Sequence, residues 1–274
     1  MNARRFSFNA ANMTGSIAER FAAMEEAGYG SATLWPADLF AHFEDPEATI
    51  ALIRASPVAV SAYQCVRNLE GSPAAVKSRK MELARQFIAQ MTLIGCEMLV
   101  LCSNVGEDID RDWARAVADL QAIGELGRAG GVRIAFEPIC YGHWINSYVK
   151  GSELVRDADH SHVGLVLDAA HVFLPDSPLE AIEKIGGDKI FLVELCDFAA
   201  SRLDKRELLL NYRMFPGEGV RPLRAFMDRV EATGYAGPIS LEVFNAHYRA
   251  CEPRFVAQRG MQALEALFGR NAPG

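Results

Sequence analysis

The sequence predicts an α/β fold, a single-domain (β/α)8 TIM barrel. Eight apolar, strand-like runs alternate with segments of helical spacing, and several of those helices stop at a Gly that a strand follows at once. The segment after the first run, Asn9-Ala-Ala-Asn-Met-Thr-Gly15, holds one Gly, which argues against the phosphate loop of an open doubly wound sheet. A length of 274 residues suits one barrel, and no linker divides it.

The elements follow in order. A strand near 4–9 precedes a helix from Ser16 to Ala27, on which Ile17, Phe21, Ala22 and Met24 make one face before Gly28. Strands near 30–35 and 58–64 come next. A long helix over Ala74–Ile94, striped by Leu83, Phe87, Ile88 and Met91, then ends at Gly95. A strand near 98–103 leads to a helix over Trp113–Arg128, and strands near 132–137, 163–168 and 190–196 follow. A helix over Leu223–Ala232, with Gly234 beyond it, precedes the last strand near 239–243. The tail, Asn271 to Gly274, reads as frayed.

Half of the residues are hydrophobic and 23% are charged, an ordinary globular balance. The formal charge of −7 argues against a nucleic-acid partner, which needs a basic stripe. No apolar stretch reaches the roughly 18 residues that span a membrane. Met1 to Phe8 runs directly into a strand pattern without an apolar targeting core, so a cytoplasmic protein with no membrane partner is expected. Cys65, Cys96, Cys102, Cys140, Cys196 and Cys251 show no Cys-x-x-Cys spacing, and several lie in apolar runs. Buried free thiols are expected, not disulfides or zinc ligands.

Four acids stand at the ends of apolar runs in the second half: Glu137, Asp168, Glu194 and Glu242. A carboxylate closing a buried strand is costly unless a cation meets it. Side chains alternate across a strand, so parity decides which residues share a face. Glu137 shares its face with Ala135, Asp168 with Val166 and Gly164, and Glu242 with Ser240, while bulky Ile134, Phe136, Leu165, Leu167, Leu241 and Val243 take the other face. The small set fits the barrel interior, which aims three acids at the carboxyl end where such barrels keep their chemistry. Glu194 shares parity with Leu192 and Cys196, so its case rests on its position in the strand. The competing explanation is pairing with Arg133, Lys189 or Arg213. An all-oxygen cluster favours one divalent ion, magnesium, manganese or cobalt ahead of zinc. His171, three residues after Asp168, is a candidate ligand or base.

These residues resemble the xylose-isomerase-like sugar-phosphate isomerase and epimerase barrels, and most of all the metal-dependent 3-dehydroshikimate dehydratases. Nearly the whole chain takes part. The matching segments are Arg67-Asn-Leu-Glu-Gly71, Leu101-Cys-Ser-Asn-Val105, Phe136-Glu-Pro138, Ile145-Asn-Ser-Tyr148 and Val163 to His171. Further along come Asp188 to Val193, Arg213-Met-Phe-Pro-Gly-Glu-Gly219 and Gly237 to Asn245, the last being the most specific. The resemblance implies that Glu137, Asp168, Glu194 and Glu242 hold the metal and that His171, Arg67 and Arg213 face a small polyhydroxylated carbonyl substrate. It implies a lyase that dehydrates a cyclic polyhydroxy keto acid through a metal-stabilised enolate, with His171, Glu137 and Glu242 as catalytic groups and an arginine for a substrate carboxylate.

Two departures matter. The dehydratase-like pattern has Gln, and the wider superfamily His, where this chain has Glu194. Leu208-Leu-Leu-Asn-Tyr212 also replaces a stretch in which the dehydratases carry a Ser and a His. A sugar or inosose isomerase or epimerase therefore stands as the alternative, followed by a barrel that binds a metabolite without turning it over. An abasic-site nuclease of the same fold would need several strand-end histidines, and the six here are mostly scattered elsewhere. Homo-oligomerisation is left open. Trp35 and Trp144 are candidates for the pocket rim or for packing, Trp113 carries no assignment, and Asp197 has a parity that favours a structural role.

Overall fold

The computed structural model describes residues 5–40 and 45–269. The reading of the tail after Asn271, and of the first strand's Arg4, lies outside them. Eight parallel strands close into a barrel in sequence order: β1 Phe6–Asn9, β2 Ser31–Leu34, β3 Ala59–Arg67, β4 Met98–Cys102, β5 Arg133–Glu137, β6 Val163–Asp168, β7 Ile190–Leu195 and β8 Ile239–Leu241. The seam closes where β1 pairs with β8, Ser7 opposite Ser240.

The helices are α1 Ile17–Ala27, α2 Pro36–Phe40, α3 Pro46–Ala55, α4 Ala74–Ile94, α5 Trp113–Ala129, α6 Tyr148–Ala158, α7 Ala169–Phe173, α8 Lys205–Asn211, α9 Leu223–Ala232 and α10 Pro253–Leu267. Ser16 opens α1 with a capping box to Glu19, and Gly28 ends it at φ +87°, a left-handed turn that a side chain would strain. Gly95 ends α4 in the same way at φ +68°. Behind β6, a short α7 and a 3-10 turn over Leu179–Lys184 stand in for one long helix. α10 packs on α1 and completes the outer ring.

Parity sorts the core into two layers. Phe8, Leu34, Ile134, Phe136, Leu165, Leu167, Leu195 and Leu241 belong to the outer layer under the helices. Ala62, Val100, Ala135, Val166 and Leu192 fill the barrel interior.

Two irregularities re-aim side chains. Between Leu165/Ile190 and Val166/Leu192 the β6–β7 register skips a residue. Phe191 and Leu192 accordingly both join the interior layer. Phe191 lies flat against Gly164, where an added Cβ would come within 2.5 Å of the ring. The slip also restores Glu194 to the inner face, which parity counted along the sequence had left open. A similar shift in β3, between Tyr63 and Val66, frees Gln64 and Cys65 to face inward together while Tyr63 bonds Gln90 of α4.

Candidate active site

The four acids meet. Glu137 ends β5, Asp168 ends β6, Glu194 lies opposite Asp168 on β7, and Glu242 follows β8, which is shorter than expected. All four are buried, and one oxygen of each lies within 4.8 Å of the others. The same spacing joins Glu137, Asp168 and His171.

Their partners are mostly neutral. Asn9 Nδ2 donates to Glu242 Oε1 at 2.9 Å, and Gln64 Nε2 donates to Glu194 Oε1 at 2.8 Å and to Glu242 Oε1 at 3.2 Å. The Cys102 thiol donates to Glu137 Oε2 at 3.0 Å. Asp168 Oδ1 accepts the Ala170 N–H, capping α7. Glu194 Oε2 is buried with no hydrogen-bond partner.

One cation reaches the cluster. Arg213 Nη1 donates to Asp168 Oδ2 and to Glu242 Oε2, both at 2.8 Å, while its Nε holds the Leu209 carbonyl at 2.9 Å. Pairing with an arginine therefore accounts for two of the four acids. Arg133 stacks on Phe191, and Lys189 caps the His160 carbonyl, so neither serves the cluster.

Four carboxyls against one guanidinium leave an excess of negative charge in a buried place. Burial, followed by the charges of Glu242 and Asp168, pushes Glu137 up to about 8. Burial also raises Glu242 and lifts Glu194 well above the carboxylate range. The group that would relieve all of this is a hard cation, which an all-oxygen donor set with an unpartnered buried oxygen suits.

His171 is buried, its Nε2 3.5 Å from Glu137 Oε1 and 3.7 Å from Asp168 Oδ2. Burial depresses it to about 4, so the ring is neutral at pH 7. Its Nδ1 accepts the Cys140 N–H at 3.3 Å, which puts the ring proton on Nε2, facing the acids. In that tautomer His171 is a donor to the cluster and has no lone pair to offer a metal there.

Above the acids lies a narrow space of about 20 Å³ bordered by Trp35, Gln64, Arg67, Tyr141, His171, Leu209 and Arg213. That holds little more than one water-sized group. A roomier hollow of about 370 Å³ adjoins it, sharing Arg67 and Tyr141. Trp35 reaches the rim and donates from Nε1 to Asn9 Oδ1 at 3.0 Å. Trp144 does not border this space; it packs edge-on against Trp113 at 6.2 Å. Asp197 takes a structural role, accepting the N–H groups of Phe198, Gly217 and Arg221 and so pinning the loop that carries Arg213. All six cysteines are free thiols. Among the described residues no helix is long and apolar enough to cross a membrane.

Asn9 and Gln64, which hold the acids, are amides and so fall outside the pattern of strand-end acids. Asn9 had a legible signal, since it closes the first strand. Gln64 closes the third strand as read over 58–64, but its inward aim had no signal, because the bulge that turns it is a matter of pairing between strands.

The chain is similar to a 3-dehydroshikimate dehydratase of Pseudomonas putida, 31% identical over 253 residues, 92% of this chain and 40% of that protein. An inosose isomerase of Bacillus subtilis is 29% identical over 150 residues, 53% of this chain and 50% of the other. A solved fusion of a xylose isomerase-like TIM barrel with 4-hydroxyphenylpyruvate dioxygenase superposes with a TM-score of 0.92 at 31% identity, over 96% of this chain and 42% of that one. The chain thus spans about two-fifths of the length of the curated dehydratases it matches. The model of the xylose isomerase-like TIM barrel family matches residues 21–267, and the chain belongs to that family.

Proposed function

We propose that this barrel is a divalent-metal-dependent lyase that removes water from a cyclic polyhydroxy keto acid, with 3-dehydroshikimate as the reference substrate. The observation that carries the reading is the convergence of Glu137, Asp168, Glu194 and Glu242, with Glu194 Oε2 buried and unpartnered. The similarity to dehydratases over most of the chain supports the choice of substrate class. A divalent ion held by these four acids would supply positive charge where negative charge develops on the substrate carbonyl as a neighbouring proton leaves.

The residues around it divide the remaining work. Glu137 and Glu242 are the nominees for taking the proton, each carrying an oxygen within reach of the cluster's centre. The proton taken by the carboxyl passes to the departing β-hydroxyl, which leaves as water. His171, its Nε2–H facing the acids, orients that hydroxyl by a hydrogen bond and stays neutral. The ring then tautomerises to a catechol acid, one water being lost overall. Leu209 and Leu210 roof the space and keep bulk water from it.

Purified protein supplied with manganese or magnesium should convert 3-dehydroshikimate to a product with catechol absorbance. Absence of product with either ion would remove the dehydratase reading. The second reading, an inosose isomerase, is favoured by one observation: apolar Leu209 and Leu210 border the site where the resemblance calls for a Ser and a His. It predicts exchange of an inosose α-proton into heavy water without loss of water.

A further inference from the structure

The space directly over the acids is too narrow for a six-membered ring, so most of any cyclic substrate must extend into the adjoining hollow. The walls of that hollow have a distinct chemistry. Arg67, Lys205 and Arg206 line it with His143, Tyr141 and Val105, and the one acid there is Asp204. Asp204 is already engaged, capping α8 by accepting the N–H groups of Arg206 and Glu207. Among the described residues, Arg67, Lys205 and Arg206 form no ion pair, whereas Arg115, Arg128, Arg156, Arg224, Arg229 and Arg259 at the surface each meet a carboxylate. The side-chain hydrogen bond that Arg67 makes runs from Nε to Cys65 Sγ at 3.1 Å, which leaves both terminal nitrogens for a ligand. Arg213 is spoken for, its Nη1 lying between Asp168 and Glu242.

We infer that this hollow is a carboxylate-binding subsite, in which Arg67, Lys205 and Arg206 select cyclic substrates that carry an acid group over neutral cyclitols. The inference rests on the proposed reading for its polyhydroxy ring and adds the residues that choose among such rings. Arg67 stands on the boundary between the two spaces and suits a bidentate contact. Lys205 and Arg206 are exposed and act mainly by attraction, raising the encounter rate and its dependence on salt.

Shikimate and myo-inositol, an acidic ring and a neutral one, test this without requiring turnover. Calorimetric titration of the manganese-loaded protein should find shikimate bound more tightly than inositol at low salt, with the preference shrinking at high salt. Lys205→Ala/Arg206→Ala should cut the ratio of the two affinities by about tenfold, on the scale expected for a pair of rim charges. Equal affinities, no detectable binding of either ligand, or an unchanged ratio in the double variant would each overturn the subsite. A charge-dependent preference for shikimate in a protein that makes no catechol would retain the subsite and remove the dehydration. Catechol formation with an unchanged ratio would do the reverse.

Discussion

Strands β1 to β4 present Asn9, Thr33, Gln64 and Cys102 at the barrel mouth, none of them charged, while β5 to β8 present Glu137, Asp168, Glu194 and Glu242. The neutral half is not idle. Gln64 donates to Glu194 from across the barrel, and Asn9 and Cys102 donate to Glu242 and Glu137 from the neighbouring strands β1 and β4. Such donors hold carboxylate oxygens in place without cancelling their charge. Arg213, arriving from the loop between β7 and β8, compensates two of the acids and leaves Glu137 and Glu194 without a cationic side chain. The β5–β8 half of the mouth therefore supplies the four carboxyls and the β1–β4 half supplies neutral donors, with Arg67 of β3 at the edge. In this arrangement burial favours the protonated forms of Glu137, Glu194 and Glu242 until a cation takes the place of the protons.

The largest effect should come from the charged half. Glu242→Gln should abolish stoichiometric metal in the purified protein and lower kcat/KM by about a thousandfold, corresponding to the several kcal/mol a catalytic ion contributes. Elemental analysis beside the catechol assay checks this, and a variant that keeps both ion and rate would break the comparison. The neutral half should matter less. Gln64→Leu removes the donor shared by Glu194 and Glu242 and should weaken metal binding by about 10- to 100-fold with an unchanged circular dichroism spectrum.

Glu194→Gln sharpens the contrast, because it makes the charged half less charged and keeps an oxygen for Gln64. The metal-free variant should melt higher by about 5 °C, as a buried unpartnered carboxylate oxygen costs on the order of 1–3 kcal/mol. The gain should grow with pH, since the raised Glu194 makes the native state lose stability as pH climbs.

The smallest effect lies outside the mouth, at Glu70. It accepts the Asn104 N–H through Oε1 but leaves Oε2 buried without a partner, and burial lifts it to about 8. A carboxyl raised in the folded state holds its proton there between 4.5 and about 8 while the unfolded chain does not. Its contribution is thus complete below 4.5 and is lost as pH rises through about 8. Glu70→Gln should flatten that part of the stability profile in chemical denaturation of the manganese-saturated protein. An unaltered slope would mean that Glu70 ionises freely where it sits.

Much of this was legible before folding. The helix stops at Gly28 and Gly95, the alternation of strand and helix, and the outward parity of Phe136, Leu167 and Leu241 follow from backbone conformation and from period-two burial, which are local properties. The four strand-end acids were equally visible. Trp144 shows the limit, since a loop position names no neighbour, and its packing on Trp113 emerged only when distant segments met.

The amino-acid order by itself determined the barrel, its inner and outer layers and the acids that crown β5 to β8, because each depends on spacing along one strand or helix. Only the tertiary structure decided that Gln64 turns inward through a slip against β4, that Phe191 over Gly164 re-aims Glu194, that Arg213 divides itself between Asp168 and Glu242, and that His171 carries its proton on Nε2. Those outcomes depend on register between strands and on which polar atoms are left to pair once water has gone. Neither quantity is defined until the ring of strands has closed.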